Sequence, residues 1–158
     1  MVSEFRAGIG FDAHRFGADP PIKLAGVVVD SERGVEATSD GDVVAHAIAD
    51  AILGACGLGD LGEHFPPDDP DFRDADSMVL LRTVSRLARA WRWWINSVDV
   101  TVIAEDVRIA PHRQAMTEAI SSLLDCEAIS IKATTTDQMG AIGRGEGLAA
   151  LAVVTVTI

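Results

Sequence analysis

The run Ser39-Asp40-Gly41-Asp42-Val43-Val44-Ala45-His46-Ala47-Ile48-Ala49-Asp50-Ala51-Ile52-Leu53-Gly54-Ala55-Cys56 reads as a helix entered through a polar turn. Ser39 precedes Asp42 by three positions, an acidic variant of the capping box that starts helices. Val44, Ile48, Ala51 and Ala55 recur at helical spacing and define a buried stripe. His46 lies off that stripe, one turn beyond Asp42 and one turn before Asp50. Upstream, Arg6 to Phe11 reads as a short strand that leads into Asp12-Ala13-His14. Alternate side chains of an extended segment share a face, so Asp12 and His14 project together while Phe11 and Ala13 turn inward. A strand-borne carboxylate and imidazole with a helix-borne imidazole form a three-ligand set of the kind zinc uses catalytically, its fourth position open. Singly the signals are weak, because a D-x-H triplet is common by chance and a helix histidine is more often exposed or satisfied than a ligand. Together they point to a metal site wherever strand and helix meet.

The remaining elements alternate. Ile22 to Val29 reads as a strand, or as a hairpin broken at Gly26. Gly57-Leu58-Gly59-Asp60-Leu61-Gly62 ends the first helix and opens a loop through Phe65-Pro66-Pro67-Asp68-Asp69-Pro70, too acidic and proline-rich for regular structure. Asp76 starts a second helix with Met78, Leu81, Val84, Leu87, Ala88 and Trp91 on one face. Val98 to Ala104 alternates as a strand, Asp99 and Thr101 opposite Val98, Val100 and Val102. Pro111 suits the first turn of a helix through Met116, Ile120 and Leu123. Ile129 to Thr134 and Leu148 to Ile158 read as the last strands. The pattern predicts an α/β sandwich, a single domain over residues 1–158 with a mixed β-sheet covered by helices.

A chain of 158 residues, 48% hydrophobic, supports one real core and not two. No apolar stretch is long enough for a membrane span, and Met1-Val2-Ser3-Glu4 leads almost directly into a strand with no signal peptide. Cys56 and Cys126 sit in apolar helical patterns, as buried thiols of a reducing cytoplasm do. The formal charge of −11 argues against a nucleic-acid binder. An anionic substrate must then be gripped by metals, backbone N–H groups and a few placed cations.

Two loops fit such a substrate. In Lys132-Ala133-Thr134-Thr135-Thr136-Asp137, Thr135 and Thr136 sit where a strand gives way to a turn, so their hydroxyls and N–H groups either face a phosphate or simply reflect strand preference. Asp137 is either a ligand for a second, harder ion such as Mg²⁺ or a plain helix cap. Gly143-Arg144-Gly145-Glu146-Gly147 is a turn first and an anion site second; it lacks the Lys and Ser/Thr of a P-loop. Asp60 beside Gly62 either holds a sugar hydroxyl or ends a helix.

Taken in order, GFDAHRFG (10–17), SDGDVVAHAIADAILGACGLGDLG (39–62), VDVTVIAEDVRIAPH (98–112) and KATTTDQMGAIGRGEG (132–147) closely resemble the 2-C-methyl-D-erythritol 2,4-cyclodiphosphate synthase family of the non-mevalonate isoprenoid pathway. The resemblance implies a cytoplasmic homotrimer with active sites at subunit interfaces, acting on a cytidine diphosphate derivative of methylerythritol 2-phosphate. It puts Zn²⁺, or another divalent metal, on Asp12, His14 and His46, of which Asp12 and His14 also border the substrate. It puts Mg²⁺ or Mn²⁺ on Asp137, where the family carries glutamate. Ser39 and Thr135 fall at the phosphates, Asp60 and Gly62 near the methylerythritol moiety, and Phe65 and Asp69 in a loop that contacts substrate. The stretch Ala104 to Ala110, with Asp106, Arg108 and Ile109, receives the cytosine largely through backbone groups. Thr134, Thr135, Thr136, Asp137 and Arg144 border the diphosphate from the neighbouring subunit. Thr38 and Thr135 take the positions that stabilise the transition state, and Asp50, one turn beyond His46, is a carboxylate to orient that imidazole.

Departures from the family pattern are specific. Thr38 stands where histidine is usual and cannot bring a positive charge. Pro67 replaces an aspartate, Val107-Arg108 replaces Pro-Lys, and Ala141 replaces a bulky aromatic beside Arg144, which weakens the case for an isoprenoid diphosphate in the trimer's central channel. Two other readings compete: a zinc-dependent hydrolase of a nucleotide diphosphate, and a non-catalytic zinc-binding trimer that serves as a binding or assembly protein.

Overall fold

The computed structural model describes residues 4–158; residues 1–3, on which the expectation of no leader rests, lie outside the described residues. Strand β1 (Phe5–Arg15) runs well past its apolar start, because its whole length pairs antiparallel with β6 (Gly147–Thr157), from Phe5 opposite Thr157 to Arg15 opposite Gly147. Asp12 and His14 are therefore strand residues. Strand β4 (Trp94–Ile103) pairs antiparallel with β6 and parallel with β5 (Ile129–Thr134), giving a mixed sheet of order β1-β6-β4-β5. The stretch around Gly26 is a hairpin, β2 (Ile22–Leu24) and β3 (Val27–Asp30), turned at Ala25 and Gly26, both of positive φ.

Helix α1 (Val43–Cys56) lies on β1 and β6 and is buried nearly all round; only His46, Asp50 and Gly54, four apart along one line, escape full burial. Its expected single stripe is therefore too narrow. The contact with β1 is a backbone contact. A Cβ at Gly8 would strike the Ala51 carbonyl and one at Gly10 the Ala47 carbonyl. Strand parity then sets the rest: Gly8, Gly10, Asp12 and His14 face the helix, while Ile9 and Phe11 face away. Phe11 was expected to turn inward, but it is 61% exposed, because the helix side of β1 accepts only glycine at closest approach.

The helix cap also differs from expectation. Asp42, not Ser39, is the N-cap of α1; its carboxylate accepts the Ala45 N–H at 3.0 Å. The same carboxylate accepts the N–H groups of Ala25 at 2.9 Å and Gly26 at 2.8 Å, tying the β2–β3 turn to the helix start. Asp42 is fully buried, and burial pushes its carboxyl up to about 6 against those amide donors.

Past α1 the acidic loop is more regular than its composition suggests. Asp60 caps a single helical turn, α2 (Leu61–His64), and Asp69 caps a 3-10 turn at Pro70–Phe72. Asp76 caps α3 (Ser77–Ala90) through the Met78 N–H at 2.8 Å, as its position predicts. Trp91 leaves the buried face: the helix ends at Ala90, Arg92 turns left-handed, and Trp93 takes the interior place at 5% exposed. Pro111 falls in a 3-10 turn at Ala110–His112 before α4 (Arg113–Leu124), and a short α5 (Gly140–Gly143) precedes β6. Cys56 and Cys126 are buried and unpaired with each other, and burial pushes the Cys56 thiol up to about 11. Helices cover one face of the sheet; on the other, Phe5, Ile9, Phe11 and Val153 stand exposed in the single chain.

Two consequences are testable. Gly10→Ala must force α1 away from β1 and should cost ~1–3 kcal/mol of folding stability, read by urea denaturation; an unchanged midpoint would refute the backbone contact. Asp42 holds its proton more tightly in the folded chain (about 6) than at its ordinary 3.8, so its stabilisation is present below 3.8 and lost as pH rises through about 6. Wild type should accordingly lose stability across that window relative to Asp42→Asn, whose side chain does not titrate; parallel curves would contradict the assignment.

Candidate metal centre and ligand cleft

The contact of α1 with β1 brings strand and helix ligands together. Asp12 Oδ2 lies 2.8 Å from His46 Nδ1 and 3.1 Å from His14 Nε2, and the three ligand atoms fall within 4.8 Å of one another. The two imidazoles meet edge to face, centroids 5.7 Å apart. His14 Nε2 is buried and, although within charge-attraction distance of Asp12, lacks the alignment of a hydrogen bond. An orphaned buried imidazole nitrogen beside a carboxylate and a second imidazole fits a divalent cation, which satisfies all three donors at once. Burial pushes the Asp12 carboxyl up, but the close imidazoles of His14 and His46 outweigh it and hold the carboxyl well below the usual range. Burial likewise lowers the His46 pKa, yet the hydrogen bond and charge of Asp12 leave it raised.

Thr38, Ser39, Leu61, Gly62, Phe65, Pro67, Phe72 and Leu80 close with His14 and His46 around a cleft of about 240 Å³. A neighbouring polar hollow joins Asp12, His46, Asp50, Asp60 and Gly62. Thr38, Ser39, Asp60, Gly62 and Phe65 thus gather around the metal triad. Asp69 does not; its carboxylate accepts the Asp71 N–H at 3.0 Å in the 3-10 turn. Asp50 does not orient His46 either. It accepts the Leu61 N–H at 3.1 Å and holds the start of α2, because the helix line it shares with His46 runs toward that turn.

The second group of predicted residues sits on the same sheet rim but on other strands. His14 pairs with Leu148, Ala149 with Ile103, and Ile103 with Thr134, so the triad and the Thr134–Asp137 turn stand three strand positions apart, about 14 Å at ordinary strand spacing. In Ala104 to Ala110 the side chains of Ala104, Val107 and Ile109 are buried while Asp106, Arg108 and Ala110 are exposed. Asp106 lies 3.9 Å from Arg33. Glu105 Oε1 accepts the Thr136 N–H at 2.7 Å and hydroxyl at 2.9 Å, binding this loop to the next. Thr134, Thr135, Asp137 and Arg144 are exposed; Asp137 and Gln138 both have positive φ, and Arg144 pairs with Glu146 at 2.7 Å.

Sequence reasoning missed Glu105 and, closer to the triad, Ser77. Ser77 is fully buried and its Oγ lies 2.8 Å from His46 Nε2. The available signal was its spacing: Ser77 precedes Leu81, Val84 and Ala88 on the buried stripe of α3, where a hydroxyl needs a partner.

Fold and site define a mixed-sheet α/β domain carrying a candidate divalent-metal triad at the rim of its sheet. The chain belongs to the YgbB family, whose sequence model matches residues 5–157. A Shewanella loihica protein named 2-C-methyl-D-erythritol 2,4-cyclodiphosphate synthase is 53% identical over 94% of this chain and 94% of its own. A Xanthomonas oryzae pv. oryzae protein of the same name is 49% identical over 98% and 96%. The bifunctional IspDF of Campylobacter jejuni superposes with a TM-score of 0.95 at 42% identity, covering 99% of this chain, which spans only 43% of that longer one. IspF of Plasmodium falciparum, solved as a CDP complex, superposes with a TM-score of 0.83 at 30% identity, covering 96% of this chain and 95% of the other.

Proposed function

We propose that this protein is an enzyme, a phosphorus–oxygen lyase that converts 4-diphosphocytidyl-2-C-methyl-D-erythritol 2-phosphate to 2-C-methyl-D-erythritol 2,4-cyclodiphosphate and CMP. The observation that carries the reading is the Asp12–His14–His46 triad opening on a cleft bordered by Thr38, Ser39 and Gly62. Relatives with this synthase name match nearly the whole chain, and a similar structure is a CDP complex. The unit is one domain over residues 1–158.

The 2-phosphate oxygen attacks the β-phosphorus; the bond from that phosphorus to the bridging oxygen breaks, and CMP leaves with the bridging oxygen. A Zn²⁺ on the triad, with Mg²⁺ or Mn²⁺ at Asp137, supplies Lewis-acid polarisation and neutralises phosphate charge. Ser39 and Thr135 hydrogen-bond phosphate oxygens, with Thr38 and Thr135 beside the reacting phosphorus. Asp60 and Gly62 hold the methylerythritol hydroxyls against the triad, flanked by Phe65. Asp69 acts on that pocket only through the turn it caps. Ala104 to Ala110 present backbone groups to cytosine, a role suited to a loop whose Ala104, Val107 and Ile109 side chains point inward. Thr134, Thr136, Asp137 and Arg144 border the diphosphate.

A homotrimer accounts for two features together. The rim separation of about 14 Å lets a triad on one subunit face the cytosine and phosphate loops of the next. The exposed Phe5, Ile9, Phe11 and Val153 offer an apolar sheet face for subunits to bury. We place the enzyme in the cytoplasm; among the described residues no helix is long and apolar enough to cross a membrane.

The test is phosphorus NMR of the substrate with protein, Zn²⁺ and Mg²⁺. CMP with a cyclic diphosphate is expected, and chelation of the metals should abolish both; CMP with a linear phosphate product would make the protein a hydrolase. Restoring a cation at the cleft by Thr38→His should raise kcat, by up to ~10²-fold where one charged transition-state hydrogen bond is gained. An unchanged rate would mean that Thr38 is no deficit.

A further inference from the structure

We infer that Ser77 and Asp40 are positioning residues of the metal centre, which together decide which nitrogen of His46 carries its proton and which faces the metal. The inference rests on the metal-site reading above. Ser77 Oγ–H donates a short hydrogen bond to Asp40 Oδ1, and the same oxygen lies 2.8 Å from His46 Nε2. A serine hydroxyl has one proton, and a carboxylate only accepts. With its proton given to Asp40, Ser77 presents only lone pairs to His46, so His46 Nε2 must be the donor.

A neutral imidazole carries one N–H, and with that proton on Nε2 the lone pair falls on Nδ1. It is Nδ1 that lies 2.8 Å from Asp12 Oδ2, inside the triad; because a carboxylate only accepts, Nδ1 shares a proton with Asp12 in the metal-free chain, and a cation on the triad takes that proton's place. The opposite tautomer would set two lone pairs against each other at Ser77, a fully buried residue, and forfeit a buried hydrogen bond. Ser39 Oγ accepts the Gly41 N–H at 3.3 Å and stands 3.2 Å from His46 Nε2, the longer of the two hydroxyl contacts at that nitrogen.

Asp40 is fixed for this task by the backbone. Its Oδ2 accepts the Ser77 N–H at 3.3 Å, its Oδ1 accepts the Asp42 N–H at 3.3 Å, and its own N–H donates to Ala75 at 3.1 Å. The entry turns of α1 and α3 are thereby locked together behind the metal ligand. Asp50, the carboxylate nearest in sequence pattern, is engaged with Leu61 and plays no part.

Zinc titration against a competing chelator, on wild type and on Ser77→Ala, Asp40→Ala, Asp40→Asn and His46→Ala, tests the assignment. Ser77→Ala should weaken zinc binding by about 10- to 100-fold, the usual effect of losing a partner behind a ligand. Asp40→Ala should weaken it less, and Asp40→Asn, which keeps an acceptor oxygen, should restore it. Long-range proton–nitrogen NMR of zinc-loaded wild type should show His46 protonated at Nε2 with that proton shifted downfield by its bond to Ser77, and Ser77→Ala should remove the downfield shift, a change that zinc alone would not produce. Wild-type affinity in Ser77→Ala, or an Nδ1-protonated His46, overturns the inference while leaving the metal site standing. Failure of wild type itself to bind zinc overturns the metal reading and this one with it. If Ser77→Ala does not fold, the Asp40 pair decides: zinc affinity equal to wild type in Asp40→Ala overturns the inference.

Discussion

The bare backbone contact between β1 and α1 is what the rest of the molecule depends on. Gly8 and Gly10 allow Ala47 and Ala51 to lie directly against the strand, closer than any side chain would permit. That approach fixes the parity of β1, and parity sends Asp12 and His14 to the helix side. It also fixes the phase of α1, whose partly exposed line begins at His46. Bringing two imidazoles and a carboxylate within 4.8 Å is therefore a packing result before it is a chemical one. The outward consequence is equally direct: Ile9 and Phe11 are left on the far face of the sheet.

An acidic protein that handles a multiply charged anion must confine its positive charge to small, well-held places. With a formal charge of −11, long-range attraction works against the substrate, so recognition has to be short-range. The site is built accordingly, from candidate metal ligands and hydroxyls whose geometry is set by the fully buried Asp42 and the half-buried Asp40. Asp42 ties the β2–β3 turn to the start of α1, and Asp40 ties α1 to α3 through Ser77. These acids act as fasteners of the backbone around the site, and their cost in charge is offset by the donors they collect.

Much of the fold was legible because burial periodicity is local. Val98, Val100 and Val102 alternate in the sequence and are buried in β4. Asp76 announces α3, and Gly26 marks the hairpin turn, because caps and turns are made by neighbouring residues. What was misread depends on contacts between distant segments. Phe11 looks like core until the glycines beside it are seen under a helix. Ser39 looks like a cap until Asp42 takes that role with help from Ala25 and Gly26. Trp91 fits a helical stripe that ends one residue too early to bury it, and Trp93 takes its place.

The sequence by itself determined the ligand types, Asp12, His14 and His46, and the alternation of strands and helices, since both are written in residue identity and short-range spacing. Only the tertiary structure decided that these three converge, which nitrogen of His46 faces Asp12, and that Ser77 and Asp40 stand behind it. Those facts follow from the distance between segments more than 30 positions apart, such as Asp12 and His46 or Asp40 and Ser77. No local pattern encodes that distance; close packing of glycine against helix backbone does.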